Sequence, residues 1–112
     1  MDPAVEQQAV ANVPTGALIG GQWVQTGSTV AVTDPSNGQT LAEIADCGSE
    51  QAMAALDAAA AAQPAWAAYA PRARSEILRN VFEQMTARVD ELALVMTLEM
   101  GKPLAESRSE VL

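Results

Sequence analysis

Short apolar runs alternate with turn residues in the first half of this chain. Gly20 and Gly21 separate the apolar pairs at 18–19 and 23–24. Because glycine accepts the positive φ angles of a two-residue turn, this pattern predicts a tight β-hairpin. A second pair of extended runs, at 29–33 and 40–44, flanks the turn residues of 34–38 and predicts a second pair of strands at a sheet edge.

The apolar spacing becomes helical after Gly48. Ser49 predicts the N-cap of a helix that ends at Pro64, and Pro71 predicts the first turn of the next helix. A third helix is expected from about Asp90 to Gly101. Their apolar stripes comprise Met53, Leu56 and Ala60, then Ile77, Leu78, Val81, Met85 and Val89, and finally Leu92, Val95, Met96 and Met100.

The two ends of the chain differ from this middle part. Residues 1–16 lack apolar periodicity and are interpreted as a flexible N-terminal arm, mobile or docked on other parts of the protein. Pro103 begins a new helical pattern that has no stop signal before Leu112. We therefore expect residues 17–112 to be the first part of a larger, truncated domain.

Composition supports this expectation. Hydrophobic residues make up 49% of the chain, but aromatic residues make up only 4%. Much of the hydrophobic fraction is alanine, as in residues 58–62. Alanine buries little area, whereas ordering each backbone residue costs about 1–2 kcal/mol. The small apolar faces are therefore expected to need cover from additional chain.

Charge and targeting signals exclude several classes of partner. The formal net charge is −8 with only six basic residues, which argues against nucleic-acid binding. The N-terminus has no basic and apolar signal pattern, and Asp57 and Pro64 interrupt the alanine-rich run before it could span a membrane. With one cysteine, Cys47, the chain is predicted to be cytoplasmic.

Catalytic groups are nearly absent. The sequence contains no histidine, which excludes histidine-dependent triads and zinc sites, and it contains no glycine-rich nucleotide fingerprint. Cys47 is the one candidate nucleophile, but no base accompanies it. We interpret Cys47 as an inert thiol and predict no catalytic residue.

Three arginines raise a second candidate site. Arg74, Arg79 and Arg88 could form a carboxylate clamp, because a guanidinium presents a planar fork of donors. Their helical spacing favours surface ion pairs with acidic neighbours instead. The expected partners are Glu76, Glu83 and Asp90.

Several motifs, in this order, resemble the N-terminal segment of the aldehyde dehydrogenases, and most closely the succinate-semialdehyde dehydrogenases. They are Ala17-Leu18-Ile19-Gly20-Gly21-Gln22-Trp23, Asp34-Pro35-Ser36-Asn37-Gly38, Pro64-Ala65-Trp66, Arg74-Ser75-Glu76-Ile77-Leu78-Arg79 and Met96-Thr97-Leu98-Glu99-Met100-Gly101-Lys102-Pro103. The resemblance implies an α/β fold in which hairpins are followed by three to four helices of the cofactor-binding domain.

The resemblance also implies the activity of the complete protein. That activity would be NAD- or NADP-dependent oxidation of succinate semialdehyde to succinate, through a thiohemiacetal on a downstream cysteine and with a downstream glutamate as general base. The cofactor would be bound by the downstream part, and the complete enzyme would be a homo-oligomer acting on a small aldehyde. This segment would be architectural and inactive alone.

One site is carried over by resemblance. Members of the family often hold a monovalent cation near the N-terminal strands, and the matching positions here are the carbonyls of Val32 and Thr33 and the side chain of Glu99. Hard cations prefer such oxygen ligands. Aspartate is common at the third position, and Glu99 is equally interpretable as a helix-forming residue without a ligand.

Two alternatives stay open at this stage. The first is another aldehyde dehydrogenase, acting on glutarate semialdehyde, betaine aldehyde or lactaldehyde, because substrate-defining loops lie outside this sequence. The second is a non-catalytic acidic helical interaction module. The weak predicted core and the open pattern at Leu112 argue against the second.

Overall fold

The computed structural model describes residues 2–112 as two β-hairpins and five helices. The elements are α1 (Pro3–Ala11), β1 (Ala17–Ile19), β2 (Gln22–Val24), β3 (Thr29–Thr33), β4 (Thr40–Ala45), α2 (Ser49–Ala68), α3 (Pro71–Ala87), α4 (Val89–Met100) and α5 (Leu104–Val111). This α/β arrangement confirms the predicted order of hairpins followed by helices. No helix among residues 2–112 is both long and apolar enough to span a bilayer.

Each hairpin forms its own two-stranded antiparallel sheet. In β1 and β2, Leu18 pairs with Trp23 across a turn in which Gly20 and Gly21 have φ angles of 58° and 78°. Positive φ at both central positions matches the strand twist of a tight hairpin, which confirms the predicted turn. In the second hairpin the register shifts between Val32 and Thr33.

Residues 3–11, within the segment interpreted as a flexible N-terminal arm, form helix α1. The Asp2 side chain accepts a hydrogen bond of 2.9 Å from the Ala4 backbone N–H, and Pro3 occupies the first turn. These are strong helix-start signals even though apolar periodicity is weak. The helix packs on α4, and the interpretation of residues 1–16 as an arm, mobile or docked, stays a prediction.

Helix α2 differs from prediction at both ends. Gly48, rather than Ser49, is the N-cap, and its N–H donates a 2.9 Å hydrogen bond to the Gln51 side chain. The helix continues past Pro64 to Ala68. Proline inside a helix removes one backbone hydrogen bond, but the alanines on both sides are the strongest helix formers and favour continuation.

Buried residues are few and are concentrated on one side of the molecule. Ala9, Leu94 and Leu98 form the core cluster, and the half-buried residues packed against it are Val10, Leu41, Val95 and Leu104. Helices α2 and α3 bury no residue. The radius of gyration is 16.9 Å, whereas a compact domain of this length would have about 13 Å. The shape is therefore open and elongated, at 47 × 35 × 19 Å.

Candidate functional site

The C-terminal end of α4 lies against the turn between β3 and β4. Gly101 ends α4 in the left-handed conformation, with φ of 75°, and a Cβ at this position would lie 2.8 Å from the Pro35 ring. Only glycine meets both conditions without strain. This contact joins the residue that follows α4 to Pro35, which lies two positions after Thr33, the last residue of β3.

The turn itself is organised by Asp34, which is buried. Its carboxylate accepts hydrogen bonds from the Ser36 N–H at 2.8 Å and from the Asn37 side chain at 3.3 Å. Its carbonyl accepts from the Gly38 N–H at 2.7 Å. The hydrogen bonds from Ser36 lower the pKa of the Asp34 carboxyl. Asp34 is therefore an ionised side chain already occupied by its own turn.

The cation ligands expected from the sequence, Val32, Thr33 and Glu99, stay a prediction. The register shift between Val32 and Thr33 interrupts regular pairing at the two residues whose carbonyls were predicted to bind. Glu99 is exposed, and none of the ion pairs formed within residues 2–112 includes it. The same part of the chain has no cluster of three acidic, histidine or cysteine side chains.

Cys47 lies outside any reactive arrangement among the described residues. It is exposed and precedes Gly48, the N-cap of α2. The chain has no histidine, and no hydrogen bond of residues 2–112 links another side chain to the thiol. Its assignment as an inert thiol stays a prediction that this geometry supports.

The arginines form surface ion pairs rather than a clamp. Arg79 pairs with Glu83 at 2.9 Å, as predicted. Arg88 pairs with Glu91 rather than with Asp90, and Arg72 rather than Arg74 pairs with Glu76. The reason is helix geometry, because residues three or four apart lie on one face, whereas residues two apart do not. Asp90 instead meets Arg108 of α5.

Sequence reasoning missed two grooves that flank α1. One, of about 540 Å³, lies between α1 and the β3–β4 hairpin and includes Asp34 and Leu98. The other, of about 550 Å³, lies between α1 and the α4 and α5 helices and includes Glu91 and Leu94. The helix-start signal at Asp2-Pro3 was the available clue, but it does not say where the helix docks.

Comparison with known proteins agrees with this architecture. The model of the Aldehyde dehydrogenase family matches residues 23–112. The chain is 45% identical over 97 residues to the NADP-dependent succinate-semialdehyde dehydrogenase of Escherichia coli K12, which covers 85% of this chain and 20% of that protein. It is 62% identical over 71 residues to the succinate-semialdehyde dehydrogenase of Paenarthrobacter nicotinovorans, covering 63% of this chain and 16% of that protein.

A solved structure extends the agreement to three dimensions. The succinate-semialdehyde dehydrogenase of Burkholderia pseudomallei superposes with a TM-score of 0.85 at 35% identity, covering 98% of this chain and 22% of that chain. The chain thus spans about a fifth of the length of the relatives it matches. With the family model matching most of its residues, the chain belongs to the aldehyde dehydrogenase family.

Proposed function

We propose that this chain is the N-terminal framework of an NAD(P)-dependent aldehyde dehydrogenase that oxidises succinate semialdehyde to succinate, and that it is inactive alone. The similarity to succinate-semialdehyde dehydrogenases over 85% of the chain supports the substrate class. When bound, the cofactor would supply the hydride acceptor. The described residues would serve as a framework for the rest of the enzyme. None of them is arranged to attack an aldehyde.

One observation carries the architectural role. Helices α2 and α3 together span most of residues 49–87, yet they bury no side chain. Large apolar side chains on these two helices are 43–61% exposed: Met53, Leu56, Ile77, Leu78, Val81, Phe82 and Met85. A stripe of this kind is stable in water only when another apolar surface covers it. We assign the cover to the remaining part of a complete dehydrogenase.

The test joins this chain to a complete downstream part. Residues 1–112 alone, the downstream part of the Escherichia coli relative alone, and the chimera of both are assayed for reduction of NAD or NADP with succinate semialdehyde, by absorbance of the reduced nicotinamide. Only the chimera should be active. Size-exclusion chromatography with light scattering should show the active chimera as a homo-oligomer.

Two controls decide between the alternatives. Cys47→Ser in the chimera should leave turnover unchanged, because this thiol has no partner base; a loss of about a hundredfold, the scale of a positioned catalytic group, would contradict the assignment. A folded chimera that oxidises none of several short aldehydes would contradict the dehydrogenase framework. Preference for glutarate semialdehyde would contradict only the proposed substrate.

We also propose that Val32, Thr33 and Glu99 contribute to a site for a monovalent cation. The fit rests on the register shift at the two carbonyls and on the unpaired Glu99 carboxylate among the described residues. Potassium or sodium should raise the Tm of the chimera relative to choline, and Glu99→Gln should abolish this effect. Glu106→Gln, at another exposed glutamate, is the matched control and should retain it.

A further inference from the structure

Helix α1 is attached to the rest of the chain by a small apolar contact. Ala9 is its one buried residue, and it meets Leu94 and Leu98 of α4. Val5 on the same helix is 53% exposed. A helix of nine residues is too short to be stable alone in water, so its helical state depends on this docking.

A chain of polar contacts holds the C-terminal end of α1. The Gln8 side chain donates to the side-chain oxygen of Asn12 at 3.0 Å, and the side-chain nitrogen of Asn12 donates to Glu91 of α4 at 3.1 Å. Two N–H groups of Arg88 donate to the same carboxylate at 2.9 and 3.0 Å. Asn12 is the C-cap of α1, and Glu91 lies in the first turn of α4, where the helix dipole favours a negative charge.

The chain is anchored again three residues later. The Thr15 carbonyl accepts a 2.8 Å hydrogen bond from the Ala45 N–H, and its hydroxyl accepts from the Gln25 side chain at 3.3 Å. Between Asn12 and Thr15 lie only Val13 and Pro14, and Pro14 has no N–H to donate. Residues 13–14 therefore form a short connection between the anchored Thr15 and helix α1, which is held at its C-terminal end.

Grooves lie on both sides of α1, so that its apolar packing is limited to the contacts of Ala9 and Val10 with the core cluster. By contrast, α5 is joined to α4 by the buried hydrogen bond of 2.9 Å between Thr97 and Ser107 and by the ion pair between Arg108 and Asp90. From these contacts we infer that α1 is a releasable strap that pivots between Asn12 and Thr15 and is latched over Leu94 and Leu98 by the Asn12–Glu91–Arg88 contacts.

The strap opens as a unit of its own, because local opening free energies follow the number of contacts that each segment makes. In the open state α1 loses its helical hydrogen bonds, and the surface of Leu94 and Leu98 becomes accessible. The α4–α5 pair stays closed. This behaviour is independent of the dehydrogenase activity and is tested on the 112-residue chain itself.

Hydrogen exchange followed by mass spectrometry measures the opening, with peptides covering α1, α4 and α5. Asn12→Ala should accelerate exchange in α1 by about two- to tenfold, the size expected for one lost hydrogen bond, and leave α5 unchanged. Asn80→Ala is the matched control, because Asn80 accepts a hydrogen bond from Gln84 within α3 and lies outside the latch. It should leave α1 unchanged.

Substitutions that change charge at Asn12 and Glu91 distinguish the latch from simple fraying of the helix end. Asn12→Asp places a carboxylate opposite Glu91 and should accelerate exchange in α1 further. Adding Glu91→Gln to it should recover part of this loss, since an amide can donate to the new carboxylate.

Three results would overturn the inference. One is an unchanged α1 in Asn12→Ala, and another is a common acceleration of α1, α4 and α5. The third is an α1 that exchanges at the unprotected rate in the parent chain.

Discussion

Helices α3 and α4 follow each other with only Arg88 between them, yet they have opposite environments. Helix α4 buries Ala93, Leu94 and Leu98 under α1 and α5, whereas α3 buries nothing. Both helices have apolar residues at helical spacing. The difference shows that an apolar stripe predicts a face to be covered but not the partner that covers it.

The exposed stripe on α3 is continuous. Its members lie at positions i, i+1, i+4, i+5 and i+8 on one face: Ile77, Leu78, Val81, Phe82 and Met85. The opposite face contains Arg79 and Glu83, which pair in solvent. Helix α3 is therefore built for a partner on one side only, in agreement with its proposed role in a larger enzyme.

The comparison predicts a large difference between two leucine truncations in the 112-residue chain. Leu94→Ala should lower the free energy of unfolding by about 2–5 kcal/mol, because it opens a cavity in the buried cluster. Leu78→Ala, at a side chain that is 61% exposed, should change it by less than about 0.5 kcal/mol. Urea titration followed by circular dichroism measures both. Equal shifts would show that the two regions are packed alike.

In the active chimera the two leucine truncations should have more similar effects on the free energy of unfolding. Leu78→Ala should then cost about 2–4 kcal/mol, because the downstream part covers the α3 stripe and the truncation leaves a cavity. Thermal unfolding of the chimera with and without the substitution provides the measurement. A Tm that does not change would mean that α3 is not covered in the complete enzyme.

A smaller effect is expected at the junction of α4 and α5. Ser107 is fully buried and shares a hydrogen bond with Thr97, so Ser107→Leu overpacks the site and leaves the Thr97 hydroxyl unpaired. The expected cost is about 1–3 kcal/mol. Ser109→Leu, at an exposed position of the same helix, is the control and should be nearly neutral. Similar losses for both would place α5 outside the packed region.

The smallest effect concerns pH. Hydrogen bonds from Arg88, and then from Asn12, lower the pKa of Glu91 in the folded chain. A carboxylate with a lowered pKa stabilises the folded state above its unfolded pKa, and this contribution is lost as the pH falls through the lower folded value. Exchange in α1 should therefore accelerate relative to α5 as the pH falls below the ordinary range of a glutamate carboxyl, after correction for intrinsic rates. Glu91→Gln should remove this pH dependence, and its persistence would assign it to another group.

Local signals explain how much of the fold was predictable. Gly20-Gly21, Pro71 and Gly101 each act on their own backbone or on residues within one turn, and the structure places a turn, a helix start and a helix end at these positions. Where two local signals compete, the prediction was wrong. Pro64 disfavours the helix, whereas the surrounding alanines favour it, and the helix continues through Pro64. The sequence pattern does not show which of these two effects is larger.

The candidate site was predictable only in part. The spacing of Arg79 and Glu83 identifies their pair, since both lie on one helix face. The partner of Arg108, by contrast, is Asp90 on another helix. The close approach of Gly101 to Pro35 likewise joins two segments that are distant in the sequence.

The sequence by itself determined the hairpin turns, most helix ends and the apolar face of each helix, because these depend on interactions between residues a few positions apart. Only the tertiary structure decided that α1 docks on α4, that Asn12 meets Glu91, and that α4 is covered while α3 is not. Residues 12 and 91 are far apart in the chain, and their contact has no local signal. It arises because the buried surface of Leu94 and Leu98 is gained only when distant segments meet.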